Sequence, residues 1–203
     1  MPSEIQVSLR KDRSHGARRS EILQTLAAML QEPDFDKVTT ARLASSLNLS
    51  EAALYRHFSN KAAMYDALID FIEETLADLF AQIRDAEAMS GTYKVRSMIS
   101  VLLDFADANP GLVRILIGQA LTYENPKLTD RVRRLWASYE LGLKQAFRTA
   151  IAARELPADF NASGRAAMVM SFVIGQWTRF ALSGFRDRPN QIGPASFEVF
   201  YRP

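Results

Sequence analysis

The stretch Val38 to Tyr65, VTTARLASSLNLSEAALYRHFSNKAAMY, constrains this chain more than any other. It is punctuated as two short helices joined by a tight turn, with a third helix opening at its end. Thr39 or Thr40 suits the first N-cap, because a hydroxyl there accepts from the free N–H groups of the first turn. Leu43, Ala44 and Leu47 recur at helical spacing and make one apolar face. Asn48 tolerates the left-handed backbone needed to leave a helix. Leu49 plugs the corner and Ser50 caps the next helix, which is short, Glu51 to Arg56. Ala53 and Leu54 turn inward, leaving Ser50, Glu51, Ala52, Tyr55 and Arg56 outside. This is helix-turn-helix geometry, in which the second helix enters the DNA major groove.

The residue types fit that use. Arg56 and Lys61 are cations for phosphate. Tyr55, His57, Ser59, Thr39 and Thr40 are short donors suited to phosphate oxygens. Ser59 and Asn60 open the next helix, where free N–H groups also attract phosphate. By pattern alone, a capped helical pair on the surface of any α protein remains the other reading.

The ordered run Thr39-Thr40-Ala41-Arg42-Leu43-Ala44, then Leu49-Ser50, then Leu54-Tyr55-Arg56-His57-Phe58-Ser59-Asn60-Lys61, resembles the DNA-binding domain of the TetR family. A further likeness runs from about Arg18 to about Pro189. It includes Glu51 to Phe58, Leu68-Ile69-Asp70-Phe71-Ile72-Glu73, Asn109-Pro110-Gly111-Leu112 and Arg114-Ile115-Leu116. These segments are similar to the nucleoid occlusion branch of that family.

Composition sets outer bounds. The chain has 203 residues, enough to bury a real core as one large domain or two small ones. It has no cysteine, which excludes disulfides and thiolate metal sites. Net charge is +2, so nucleic-acid contact has to come from a local patch rather than a global field. The longest apolar run, Ala166 to Gly175, is too short to span a bilayer. No apolar signal core precedes it near the N-terminus. The expectation is a soluble, cytoplasmic, nucleoid-associated protein with no membrane partner.

Taken in order, residues 1–15 read as a polar arm with Arg10, Lys11 and Arg13 close together, either a solvated tail or a basic arm for DNA. Arg18 to Gln31 reads as the first helix and Lys61 to Glu87 as a long one. Ser90-Gly91 marks a boundary, and Tyr93 to Ala108 is a strongly apolar helix stopped by Asn109-Pro110-Gly111. Leu112 to Leu121 reads as a short helix, Asn125-Pro126 opens another with Leu135, Trp136, Tyr139 and Leu143, and Ser163 to Phe185 is the next. No alternating strand pattern of useful length occurs. The expected fold is all-α and TetR-like: an N-terminal three-helix helix-turn-helix head, residues 16–61, and a helical bundle body, residues 62–203. Trp177, Phe180 and Phe185 supply an aromatic excess that reads as a two-fold dimer interface, with ordinary core as the other reading.

No G-x-S-x-G, G-x-G-x-x-G, phosphate-cradling loop or H-E-x-x-H occurs. Two histidines without cysteine do not suggest zinc. Asp104 and Asp107 are three apart, and a solvated helix end is the simpler reading than carboxylate catalysis. The expectation is no enzyme, no metal and no cofactor.

The resemblance implies a homodimer on double-stranded palindromic DNA, contacted by Thr39, Thr40, Ser50, Glu51, Ala52, Tyr55, Arg56, His57 and Lys61. It also implies capture of the C-terminal tail of the tubulin-like division protein FtsZ by Phe71, Ile72, Val101 and Asn109. Plain core is the other reading of Phe71 and Ile72. Asp104 stands where that branch has a small residue, and Ala108 where it has arginine. A second functional expectation is a ligand-responsive repressor with a body cavity lined by Met98, Trp136, Met168, Phe172 and Trp177.

Overall fold

Caps, prolines and left-handed turns, among them those at Gly118 and Gly184, divide the described chain into helices. The computed structural model describes residues 16–202, and the expected basic arm, residues 1–15, lies outside them. Eight α-helices occur among the described residues: α1 Gly16–Met29, α2 Thr40–Ser46, α3 Glu51–Tyr55, α4 Lys61–Asp85, α5 Gly91–Ala108, α6 Pro110–Leu116, α7 Pro126–Ala152 and α8 Ala162–Leu182. No strand occurs among them. Leu112 to Leu121 does not run as one helix. Gly118 takes φ +78°, a conformation that side chains disfavour, so α6 stops and a single 3₁₀ turn, Gln119–Leu121, follows.

The described chain divides into two compact units. One holds the residues up to Ile72 together with Ala108–Val132; the other holds Glu73–Asp107 and the chain from Arg133 onward. The expected head–body boundary at Lys61 lies inside the first unit.

In the first unit, α1 buries Ile22, Leu23, Leu26 and Met29. Leu43, Ala44, Leu54, Phe58, Met64 and Leu68 complete that apolar interior. α6 belongs here because the Asn109-Pro110-Gly111 run shapes its start. Pro110 occupies the first turn, where a missing N–H is harmless. A Cβ on Gly111 would fall 2.0 Å from the Ala27 carbonyl oxygen, so only glycine lets α6 lie directly on α1. Arg114 stacks its guanidinium 3.7 Å from the Phe35 ring centroid. At the start of α7, Arg131 grips α4 through Asp66 at 2.6 Å and Asp70 at 2.8 Å.

In the second unit, α5 is capped from a distant part of the chain. Glu155 accepts from Gly91 N–H at 2.8 Å, Thr92 N–H at 2.9 Å and the Thr92 hydroxyl at 2.7 Å. Trp177 of α8 is fully buried and donates to the Leu102 carbonyl at 3.1 Å. Asp107 is not a solvated helix end. Arg188 donates to it twice at 2.6 Å and Asn190 once at 3.0 Å, which fastens the segment after α8 to α5. Beyond it, the 3₁₀ segment Pro194–Phe200 lays Phe197 and Phe200 against Phe172, at centroid distances of 6.3 and 5.2 Å.

Candidate nucleic-acid interface

Local chemistry builds the two-helix element. The Thr39 hydroxyl accepts from Arg42 N–H at 3.1 Å, which starts α2. Asn48 has φ +53°, and Leu49 N–H closes back on the Ala44 carbonyl at 2.9 Å, so the turn follows directly from that residue. Ser50 then accepts from Ala53 N–H at 3.1 Å and starts α3. Only Leu54 of α3 is buried. Ser50, Glu51, Ala52, Tyr55 and Arg56 are exposed, while Ala53 and His57 are half-buried.

Side chains on this surface are prearranged. The Thr40 hydroxyl donates to Glu51 at 2.7 Å, and the Tyr55 hydroxyl donates to Thr40 at 3.3 Å. This chain fixes α3 against α2 and orients the Tyr55 ring. Arg42 is taken up elsewhere: it pairs with Asp34 at 3.0 Å and with Glu32. Arg19 of α1 donates to the His57 carbonyl and stacks 4.0 Å from the Phe58 ring centroid, holding the exit of α3. Asn60 accepts from Ala63 N–H at 2.8 Å and caps α4. Lys61 Nζ lies 2.7 Å from Glu124 Oε1. Glu124 was not readable as part of this region, since 63 residues of sequence separate the two.

The remaining expected site residues fall in different settings. Phe71 and Asn109 are half-buried in the first unit, Val101 is half-buried in the second, and Ile72 is buried. Trp177 and Phe180, at 0 % and 2 % exposure, are interior side chains within one chain. Trp177 is covered by α5 through its bond to Leu102, and Phe180 by Phe185 of the segment after α8. Phe185 is half-buried and meets Phe180 edge-on at 5.1 Å. The open side of α8 carries Met168 and Leu182, 56 % and 71 % exposed, with Ser171 and Gly175 between them.

A cleft of about 380 Å³ lies in the second unit, lined among others by Glu73, Phe80, Met98, Leu135, Tyr139 and Gly142. Of the five side chains expected around a body cavity, Met98 lines it; Trp136, Met168, Phe172 and Trp177 do not. The buried Tyr139 hydroxyl has no hydrogen-bond partner, and its burial, with Glu73 nearby, pushes its pKa well above the ordinary tyrosine value. Among the described residues no cluster of His, Cys, Asp or Glu fits a metal ion, and no helix is long and apolar enough to cross a membrane.

Residues 22–68 match the family described as "Bacterial regulatory proteins, tetR family", and residues 90–203 match "Tetracyclin repressor-like, C-terminal domain". The chain belongs to the TetR family of DNA-binding regulators. The nucleoid occlusion factor SlmA of Vibrio cholerae is 41% identical over 187 residues, covering 91% of this chain and 92% of that protein. SlmA of Edwardsiella ictaluri is 38% identical over 182 residues, covering 89% and 91%. Among solved structures, the fatty acid degradation regulator FadR from Bacillus halodurans superposes with a TM-score of 0.75 at 13% identity, covering 94% of this chain and 97% of its own. AibR, solved with isovaleryl coenzyme A and operator DNA, superposes at 0.69 and 17% identity, covering 92% and 99%. Those two likenesses concern the fold. No enzymatic family is indicated.

Proposed function

We propose that this chain is a sequence-specific DNA-binding factor of nucleoid occlusion. Bound at palindromic sites on the chromosome, it inhibits assembly of FtsZ over the nucleoid. One observation carries the reading: an outward-facing, locally capped α3 stands in a chain that is 41% identical, over 91% of its length, to a protein named for nucleoid occlusion. Ser50, Glu51, Ala52 and Arg56 read base edges. Thr39, Thr40, Tyr55, His57 and Lys61 reach phosphates, which set register rather than sequence.

A palindrome calls for two heads related by a two-fold axis. The second copy docks on the open side of α8 through Met168 and Leu182, with Phe185 at its end. Trp177 and Phe180 support that surface from within. The FtsZ tail is taken in the first unit by Phe71 and Asn109, both half-buried, while Ile72 is buried there. With alanine at 108, the tail is held there by apolar and backbone contacts rather than by an arginine.

Mapping binding sites across the chromosome tests this reading. Sites scattered between genes and absent near the replication terminus are expected. A single site beside the chain's own promoter overturns it in favour of a ligand-responsive repressor. The observation favouring that second reading is the cleft beside Tyr139, whose unpartnered hydroxyl would welcome a polar group on a mostly apolar ligand.

A further inference from the structure

Lys61 has an acidic partner within its own chain. Its ammonium sits 2.7 Å from Glu124 Oε1, with the two side chains 30% and 15% exposed, and 5.5 Å from the Tyr65 ring centroid. Solvent screens such a pair less than one fully on the surface. The backbone that carries this carboxylate is itself tied into the fold. Glu124 N–H donates to the Leu121 carbonyl at 3.0 Å, directly after the turn that Gly118 makes possible. On one side of this loop α6 is seated on α1 by Gly111. On the other side Arg131 holds the start of α7 to Asp66 and Asp70. Both anchors and the ion pair lie within the first unit.

We propose that Glu124 is an intramolecular competitor for Lys61: it occupies the phosphate-contacting lysine until DNA displaces it, and so sets the affinity and the salt dependence of DNA binding. The proposal rests on the reading of Lys61 as a phosphate contact. An ammonium at hydrogen-bond distance from a carboxylate has to trade that partner for a phosphate oxygen, and the trade leaves Glu124 bare in the complex. Neutralising a phosphate releases condensed cations, and each such contact steepens the log–log salt dependence by about 0.9. A bare carboxylate draws a cation back, so the exchange as a whole releases fewer. Loss of the Glu124 charge restores the full release at this contact. Since phosphate carries no sequence information, specific and random duplexes gain alike.

The test uses the full chain and its Glu124→Gln, Lys61→Ala and doubly substituted forms. Binding to a specific duplex and to a scrambled duplex of equal length is followed by fluorescence anisotropy across a salt series. Glu124→Gln is expected to bind both duplexes about twofold to tenfold tighter, with a salt slope steeper by up to about 0.9. The double variant should match Lys61→Ala alone. Glu124→Ala, which removes the side chain as well as the charge, should move affinity the same way, and unfolding curves show whether either variant remains folded. If Glu124→Gln and Glu124→Ala leave affinity and slope unchanged while Lys61→Ala weakens binding, the competitor role is overturned and the phosphate contact stands. If Glu124→Gln tightens binding equally in the Lys61→Ala background, the gain comes from general loss of negative charge, which also overturns it. If Lys61→Ala alone changes nothing, the phosphate reading of Lys61 falls, and the proposal with it.

Discussion

Helices α3 and α8 are built on opposite plans. α3 has five residues and buries only Leu54. Its cap and the hydroxyl chain around it come from Thr40, Ser50 and Tyr55, all close in sequence. α8 has 21 residues and buries Trp177 and Phe180, and Trp177 finds its acceptor 75 residues away at Leu102. A helix with almost no core of its own leaves its side chains available to a ligand. A helix whose large aromatics face inward is committed to holding its unit together. Substitutions in α3 should therefore change binding and spare stability, and substitutions on the inner face of α8 should do the reverse.

The largest expected effect breaks α8. Trp177→Ala removes a fully buried indole together with its hydrogen bond to the Leu102 carbonyl. A loss of about 3–5 kcal/mol of unfolding free energy is expected in denaturant titration. A loss under about 1 kcal/mol, the usual scale of surface changes, would show that the indole is not core.

Leu182→Glu places a charge on the outer face of the same helix, where leucine is 71 % exposed. Monomers by sedimentation with an unchanged melting profile of the isolated fold are expected, since a charge buried against a second copy is costly while one in water is not. Dimers that persist at micromolar protein would move the interface away from this end of α8.

Arg56→Ala tests α3 itself. A loss of about 1–3 kcal/mol in specific binding is expected, with relaxed choice at one base position and with stability changed by less than about 0.5 kcal/mol. A preferred sequence selected as sharply as before would make Arg56 a phosphate contact only.

The smallest effect concerns Glu155, which caps α5 from the turn that follows α7. Burial alone would raise its carboxyl pKa, but hydrogen bonds from Thr92 and Gly91 outweigh it and hold the group below the ordinary carboxylate value. The folded chain therefore binds fewer protons there than the unfolded chain. The stabilisation is present above the unfolded pKa, about 4.3, and is lost as pH falls through the lower folded value. Glu155→Gln should cost about 1 kcal/mol near neutrality, and thermal melts of the two forms should converge on acidification. A gap that stays constant down to acid pH would assign the effect to packing.

The sequence announces α2 and α3 because capping and turn chemistry are local. Thr39, Asn48 and Ser50 act on backbone groups within three to five residues of themselves, so their roles can be inferred from composition and spacing. The stop at Gly118 is harder to read, because the apolar pattern from Leu112 to Leu121 continues through it. The fate of the aromatics on α8 is not local at all. Periodicity marks Trp177 and Phe180 as one apolar face, but whether that face is covered by the same chain or by a second one depends on where α5 and the last segment return. The same holds for Asp107, held by Arg188 from 81 residues away, and for Lys61, held by Glu124. Long-range ion pairs leave no periodic trace. Gly111 lies between these cases: its spacing after Pro110 marks a helix start, while the reason it has no side chain is the backbone of α1.

Assembly of purified FtsZ, followed by light scattering with this protein and a duplex carrying one of its mapped sites, tests the central claim most directly. Assembly should be suppressed when protein and specific duplex are both present, and much less by the protein alone or with a scrambled duplex. Normal assembly in the presence of protein saturated on its specific duplex would contradict the account and leave a DNA-binding regulator with no part in division.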